Sequence, residues 1–243
     1  MAGGVRLGEA ALVLKVRPKE APLCFPKGEC ELGEVLEERG VEWVYNFGPR
    51  DLMGFKVLGA GFRGVVFLAE WKGRKVALKV RRTDVNVDMT REAELQRYAW
   101  PIAPKVFDYD RDFIIMEYVP LPSIENVLDA LDVEELREVV LKVLSAGREL
   151  DKKGIDHGEL TRPWKHVLVG DEVKIIDYGS ASKARRPSNV TSLVSGLLLK
   201  PSPPASLISE KLGINKTLLL EAVRKYKRRM DEESFQNLVS LIL

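Results

Sequence analysis

The sequence is poor in cysteine and has no long apolar run, and both absences narrow what the protein can be. Its two cysteines, Cys24 and Cys30, cannot build a disulfide framework, and no CxxC or Cys/His cluster indicates a zinc site. The longest apolar runs, such as residues 197–199, fall far short of the ~20 residues that span a bilayer. The N-terminal stretch carries charges and lacks a small-residue cleavage site. These absences predict a cytoplasmic protein with no membrane partner.

An excess of charge of either sign is also missing. The 243 residues include 38 Lys and Arg and 36 Asp and Glu, which leaves a formal net charge of +2. No global electrostatic field therefore recruits nucleic acid or an anionic membrane. Hydrophobic residues make up 45% of the chain, which at this length is enough for one large or two small buried cores.

Hydrophobic patterning divides the chain into a strand-rich part and a helical part. A short strand is predicted over residues 11–16, and apolar runs between glycine turns predict an antiparallel sheet with one helix up to residue 118. Beyond it, the apolar spacing predicts a long helix over 133–152, two short strands and a helix near the C-terminus. The Pro-rich stretch 201–206 is interpreted as a loop.

A glycine motif of the form GxGxxGxV is the first candidate for chemistry. It consists of Gly59, Gly61, Gly64 and Val66. Glycines at such spacing let backbone N–H groups approach phosphate oxygens closely. Hairpin turns also collect glycines, and for the motif alone this alternative stays open. A dinucleotide site would place a helix directly after the motif, whereas this sequence continues as a strand.

Two charged residues follow the glycine motif. Lys79 closes an otherwise apolar strand, so its ammonium either reaches solvent or binds an anion such as a phosphate. Glu92 lies on the predicted helix, where it is either solvated or paired with Lys79, and Glu94 competes with it for that pairing. An ion pair between Lys79 and Glu92 would hold the lysine towards a nucleotide.

Two further motifs lie in the helical part. HGEL, residues 157–160, follows the long helix, and IDYG, residues 176–179, follows a strand predicted to be buried. An unpaired carboxylate at the end of a buried strand is costly, so a metal ion or a hydrogen-bonded turn would compensate Asp177. Glu159 stands where a general base could accept a hydroxyl proton.

Taken in this order, the motifs resemble the protein-kinase signature set over residues 54–199. The resemblance is to the minimal atypical kinases: the RIO family, the small kinase of the tRNA threonylcarbamoyl complex, and the predicted serine/threonine kinases of archaea. HGEL resembles their HGDL, and IIDYGSAS resembles their IIDFG run. The resemblance implies an α+β, bilobal protein-kinase-like fold. An antiparallel-sheet N-lobe with one helix would span 54–118, and a reduced, mostly helical C-lobe 119–243, after an N-terminal extension or module over 1–53.

The resemblance also implies a nucleotide site. The three motif glycines and Val66 would cover the phosphates of ATP, and Lys79 would bridge the α- and β-phosphates while pairing with Glu92. Met116 resembles the gatekeeper, and Glu117 with Tyr118 the adenine-binding hinge.

For the catalytic loop, the resemblance implies that Glu159, together with His157, is catalytic and that Asp177 binds Mg²⁺ or Mn²⁺. Glu159 replaces the usual aspartate and is one methylene longer. The family's metal-binding asparagine should lie five residues after the base, where Trp164 is found. If the loop carries a two-residue insertion, His166 takes that slot and is the second metal ligand; the alternative, which stays open, is that His166 only hydrogen-bonds the catalytic loop.

Three functions are weighed. The first is ATP-dependent phosphoryl transfer to serine or threonine of an unidentified protein; the others are a nucleotide-binding pseudokinase and a small-molecule phosphotransferase. Basic clusters at 185–186 and 225–229 form either a solvated surface or a contact with RNA or a ribonucleoprotein. Ser180, Ser188 and Thr191 are candidate autophosphorylation sites by location.

Overall fold

The computed structural model describes residues 14–243, which form two compact units. The first contains the described residues up to Thr90 together with Val106–Tyr118, and the second contains Arg91–Lys105 and Val119–Leu243. Residues 1–13, which include part of the strand predicted over 11–16 and the start of the predicted N-terminal module, lie outside the described residues. The predicted α+β class, with an antiparallel sheet in the N-terminal region and helices in the C-terminal region, is confirmed.

An antiparallel sheet organises the first unit. Its elements are β1 (Lys15–Val16), α1 (Leu32–Glu38), β2 (Val41–Tyr45), β3 (Arg50–Leu52), β4 (Phe55–Val57), β5 (Gly59–Ala60), β6 (Gly64–Trp71), β7 (Arg74–Arg81), β8 (Val106–Tyr109) and β9 (Phe113–Glu117). The main strand order is β1-β2-β6-β7-β9-β8, β5 also pairs with β6, and β3 pairs with β4 in a separate hairpin. The turn between β6 and β7 holds Lys72 and Gly73, both with positive φ, as a two-residue type I′ hairpin requires.

A disulfide bond closes a short loop ahead of α1. Cys24 and Cys30 are bonded to each other with their Cα atoms 5.7 Å apart. Two cysteines exclude a framework of several disulfides, but their number does not show whether they pair. Leu23 and Leu36, on either side of this loop, are buried in the core of the first unit.

Helices dominate the second unit. The helices are α2 (Thr90–Ala99), whose first residue belongs to the first unit, α3 (Val133–Lys152), α4 (Asn189–Val194), α5 (Pro203–Lys211), α6 (Lys216–Arg229) and α7 (Glu232–Val239). The unit also contains an antiparallel hairpin of β10 (Val167–Val169) and β11 (Val173–Ile175). The helix predicted over 133–152 is confirmed. It begins with a capping box, because the Asp132 carboxylate accepts from the Glu135 N–H while the Glu135 carboxylate accepts from the Asp132 N–H.

The prediction of a loop over 201–206 is wrong for its last four residues, since α5 begins at Pro203. Proline at the first helical positions lacks only an N–H that has no helical partner there, so it starts a helix as readily as it marks a loop. The predicted C-terminal helix is present as α6, with Leu219, Val223 and Tyr226 buried. No helix in the described range 14–243 is long and apolar enough to cross a membrane.

Candidate active site

A row of residues in register crosses the sheet of the first unit. Gly59 of β5 is opposite Val66 of β6, Val66 is opposite Lys79 of β7, and Lys79 is opposite Ile114 of β9. Directly opposite residues in antiparallel strands project from the same face of a sheet. The structure therefore places the first motif glycine, the motif valine and the buried Lys79 on one line and one face.

The three motif glycines meet different steric demands. A Cβ atom on Gly64 would lie 2.6 Å from the Val80 carbonyl oxygen, so close packing of β6 on β7 requires glycine at this position. A Cβ atom on Gly59 would meet nothing within 4 Å, and one on Gly61 only the Gly64 carbonyl oxygen at 3.8 Å. Packing within the described chain thus requires Gly64, but leaves open space at Gly59 and Gly61.

The predicted gatekeeper and hinge lie at the end of β9. Met116 is opposite Ala77, and Glu117, opposite Val76, is the last residue of the strand. Tyr118 follows it, and partial burial raises the pKa of its phenol. Lys79 belongs to the first unit and Glu92 to the second, and the ion pair predicted between them stays a prediction.

In the second unit, the β10–β11 hairpin brings together residues that are distant in sequence. Val167 is opposite Ile175, so His166, just before β10, lies beside the residues that follow β11. The N–H of Ile176 donates to the carbonyl oxygen of His166 at 2.9 Å. Trp164, at the position expected for the asparagine, instead lies in a 3₁₀ turn and packs on the core.

Glu159 has a side-chain partner at each carboxylate oxygen. The Ser180 hydroxyl donates to Oε1 at 2.5 Å, and Nε2 of His166 lies 3.3 Å from Oε2. The side chain of Glu159 is 41% exposed, whereas that of His166 is only 10% exposed. The predicted base is therefore an accessible carboxylate oriented by two neighbouring groups, one of which is a hydroxyl.

His157, the first residue of the HGEL motif, is fully buried. Its Nε2 lies 3.1 Å from the carbonyl oxygen of Ile176, and its ring makes edge contacts with the rings of Tyr178 and His166. Burial, with a smaller contribution from the neighbouring His166, lowers the pKa of His157 to about 4. A neutral, fully buried imidazole supports the loop structurally, while its predicted catalytic role stays a prediction.

Asp177 has an unusual backbone conformation. Its φ of 69° and ψ of 74° lie in the left-handed region, which non-glycine residues adopt rarely and often at functional sites. The residue is exposed and precedes the 3₁₀ turn Tyr178–Ser180. An exposed carboxylate is the kind of oxygen donor that Mg²⁺ prefers, so Asp177 fits the predicted metal role.

His166 fits that role less well. Its Nε2 is in contact with Glu159, and its Nδ1 is buried without a hydrogen-bond partner among residues 14–243. In that same range, no group of three or more His, Cys, Asp or Glu side chains could hold a metal ion. The predicted ligand pair of Asp177 and His166 stays a prediction.

Asp156 and Arg185, to which sequence analysis gave no role at this site, fix the segment after Asp177. Arg185 donates from Nε to the buried Asp156 carboxylate at 2.7 Å, and its Nη2 donates to the Ser180 carbonyl oxygen at 2.6 Å. Asp156 also exchanges both backbone hydrogen bonds with Ser182. Arg185 thus ties the turn at Ser180 to Asp156, a contact that motif spacing does not encode.

The basic clusters are largely occupied within the chain. Arg186 donates to the carbonyl oxygens of Lys227 and Arg228 at the end of α6, and Arg229 pairs with Asp231 and Glu233. Such contacts stabilise a helix C-terminus. Binding of RNA or a ribonucleoprotein at these clusters stays a prediction.

Comparison with known proteins finds distant relatives among protein kinases. Over 148 residues the chain is 28% identical to the serine/threonine-protein kinase YabT of Bacillus subtilis (strain 168), and the match covers 54% of this chain and 43% of that protein. Over 142 residues it is 31% identical to the mitogen-activated protein kinase kinase 10 of Arabidopsis thaliana, and this match covers 54% of this chain and 46% of that protein. No family model matches. The chain is thus distantly homologous to serine/threonine protein kinases over about half its length, and the match spans less than half of either relative.

Proposed function

We propose that the protein is an ATP-dependent serine/threonine protein kinase of the atypical, RIO-like kind. The observation that carries the proposal is the row of Gly59, Val66 and Lys79 in register on one face of the sheet. Distant homology to serine/threonine kinases supports it. The RIO-like assignment rests on the HGEL and IIDYGSAS motifs and on the glycine at position 158.

The first unit would bind the nucleotide. Open space over Gly59 and Gly61 leaves room for phosphate oxygens to lie against the glycine loop, and the ammonium of Lys79 neutralises phosphate charge. Burial strengthens this electrostatic interaction, because a buried cation is poorly screened by water. The adenine would bind at Glu117 and Tyr118.

The second unit would supply the groups that act on the acceptor. Glu159 accepts a hydrogen bond from the acceptor hydroxyl and orients its oxygen, which in a largely dissociative transfer matters more than early deprotonation. Asp177 would hold a divalent cation, which when bound supplies charge neutralisation on the phosphates. Catalysis then depends on positioning and electrostatics, with no covalent intermediate on the protein.

The proposal is tested with γ-labelled ATP, Mg²⁺ or Mn²⁺, and dephosphorylated casein as a general acceptor. Wild-type protein should transfer label to protein, and Lys79→Ala should abolish transfer and weaken ATP binding. Lys75→Ala is the matched control, because Lys75 is an exposed lysine on the same strand. Wild-type turnover by the Lys79→Ala variant would contradict the nucleotide site.

A pseudokinase is the second candidate function. The observation that favours it is that both oxygens of Glu159 already have partners within the chain. Tight ATP binding that depends on Lys79, without transfer or hydrolysis under either metal, would establish this candidate in place of the kinase.

A further inference from the structure

The Ser180 hydroxyl makes the hydrogen bond that an acceptor hydroxyl makes to a kinase base. Its Oγ lies 2.5 Å from Oε1 of Glu159 and donates to it. This distance is within the short range of hydroxyl-to-carboxylate hydrogen bonds. The other hydroxyls singled out nearby bond elsewhere: Ser188 donates to Asp156, and Thr191 donates to the carbonyl oxygen of Ser188.

The approach of Ser180 to Glu159 depends on the glycine between His157 and Glu159. A Cβ atom on Gly158 would lie 2.7 Å from Nη2 of Arg185, 2.8 Å from the Ser180 carbonyl oxygen and 3.4 Å from Ser180 Cβ. Gly158 also has a φ of +88°, which disfavours any larger residue. An arginine at this position would displace Ser180, so the glycine makes room for the serine.

The backbone around Ser180 is held from several directions. Tyr178 is fully buried, and the N–H of Ala181 donates to its carbonyl oxygen at 3.0 Å. On the other side, Arg185 links the Ser180 carbonyl oxygen to the buried Asp156. A hydroxyl fixed in this way is preorganised at the base at little further cost in entropy.

We propose that Ser180 is an intramolecular phosphoryl acceptor, so that the chain phosphorylates itself in cis at this residue; this rests on the proposed kinase function. Ser180 Oγ forms a bond to the γ-phosphorus of ATP, the bond from that phosphorus to the β,γ-bridging oxygen breaks, and ADP leaves. The hydroxyl proton passes to Oε1 of Glu159.

Arg185 is the proposed counter-ion for a phosphate group on Ser180. Phosphoserine carries about −1.5 to −2 charges at neutral pH and repels the Glu159 carboxylate. Arg185, already bonded to the Ser180 carbonyl oxygen, is placed to pair with the phosphate. Phosphorylation therefore removes the hydroxyl donor from Glu159.

The test uses the full chain with ATP and Mg²⁺ or Mn²⁺, with dephosphorylated casein in the same tube. Trypsin releases residues 175–183, a peptide that contains both Ser180 and Ser182, and fragmentation distinguishes the two serines. Ser182 is the matched control, because its hydroxyl accepts from the Ala184 N–H and does not bond to the base.

We expect phosphate on Ser180, a loss of at least tenfold in chain labelling for Ser180→Ala, and no loss for Ser182→Ala. Ser180→Thr, which keeps the hydroxyl, should still be labelled at that position. The labelling rate per molecule should not change on tenfold dilution, and ¹⁵N-labelled Lys79→Ala chains mixed into the reaction should stay unlabelled at Ser180.

Several results would overturn the proposal. Labelled casein with unmodified Ser180 would refute it while leaving the kinase function standing. Label on Ser182 in place of Ser180, or equal labelling of the Lys79→Ala chains, would refute the cis step. Absence of label on both casein and chain under either metal would overturn the cis step together with the kinase function.

Discussion

Nε2 of His166 lies 3.3 Å from Oε2 of Glu159, which places an imidazole against the carboxylate that we propose as the base. The β10–β11 hairpin holds His166 beside Ile176, and Glu159 of the HGEL motif lies against the same imidazole. His166 is largely buried and Glu159 is exposed, so the histidine is the fixed partner of the two. We therefore propose that His166 is a positioning residue that acts through Glu159.

His166→Ala should therefore lower kcat about tenfold or more, on the scale of a misplaced catalytic group. The KM for ATP should change little, because His166 contacts the proposed base and lies in the second unit, whereas the glycine motif lies in the first. His166→Asn keeps a donor and should recover part of kcat. Steady-state kinetics with casein measures both parameters.

The same variants decide the metal role predicted for His166. Mn²⁺ accepts nitrogen ligands more readily than Mg²⁺, so loss of an imidazole ligand would shift activity towards Mg²⁺. Because Nε2 already contacts Glu159 and Nδ1 is buried, we expect an unchanged ratio of Mn²⁺ to Mg²⁺ activity in His166→Asn. A clear shift towards Mg²⁺ would establish His166 as a ligand.

Glu159→Gln should reduce phosphoryl transfer ~10²-fold or more, the usual scale for removal of a general base, because the amide keeps the size and loses the charge. Glu159→Asp restores the carboxylate and should retain measurable activity. Glu149→Gln is the control, since Glu149 is an exposed carboxylate that pairs with Lys152 on α3. Wild-type activity in the Glu159→Gln variant would assign Glu159 a structural role only.

The glycines of the motif should separate into a structural and a ligand-binding group. Gly64→Ala brings a Cβ atom 2.6 Å from the Val80 carbonyl oxygen and should destabilise the fold by about 1–3 kcal/mol, the range for overpacking. Gly61→Ala meets only an ordinary contact, so stability should hold while ATP affinity falls. Urea unfolding and ATP titration measure the two effects. Unchanged ATP affinity in Gly61→Ala would favour the hairpin-turn interpretation of the motif.

The features that sequence predicted well are those specified by local pattern. Two apolar runs joined by a two-residue turn determine the register of β6 on β7, so the alignment of Val66 with Lys79 follows from residues close in sequence. The helix α3 follows equally from its apolar spacing and its capping box. The sequence of each of these elements is therefore sufficient to predict its secondary structure.

The contacts around Glu159 could not be predicted in this way. Ser180 reaches Glu159 because Asp177 turns the backbone into the left-handed region and Gly158 leaves space, and neither effect appears in hydrophobic periodicity. Arg185 joins the site only through the fold of the intervening segment. The residue types of the HGEL and IDYG motifs were enough to predict candidate catalytic groups, but the hydrogen-bond partners of those groups depend on tertiary structure.

Buried His157 should make the stability of the protein depend on pH. Burial lowers its pKa to about 4, whereas an exposed histidine in the unfolded chain titrates near 6.5. Below pH 6.5 the unfolded chain therefore binds a proton that the folded chain does not take up until about pH 4. Stability from this group is complete at neutral pH and falls as the pH drops through that window, by about 2 kcal/mol between pH 7 and pH 5.

Urea unfolding at pH 7 and pH 5, without nucleotide or divalent metal, measures this dependence. His157→Gln replaces a buried ring, so its unfolding free energy should be lower than that of wild type at pH 7. Because the variant lacks the titrating group, its unfolding free energy should fall by about 2 kcal/mol less than that of wild type between pH 7 and pH 5. His166→Asn, which removes the only other histidine, should keep most of the wild-type dependence. Equal pH dependence in His157→Gln and wild type would show that His157 protonates as readily in the folded chain as in the unfolded one, and would contradict its full burial.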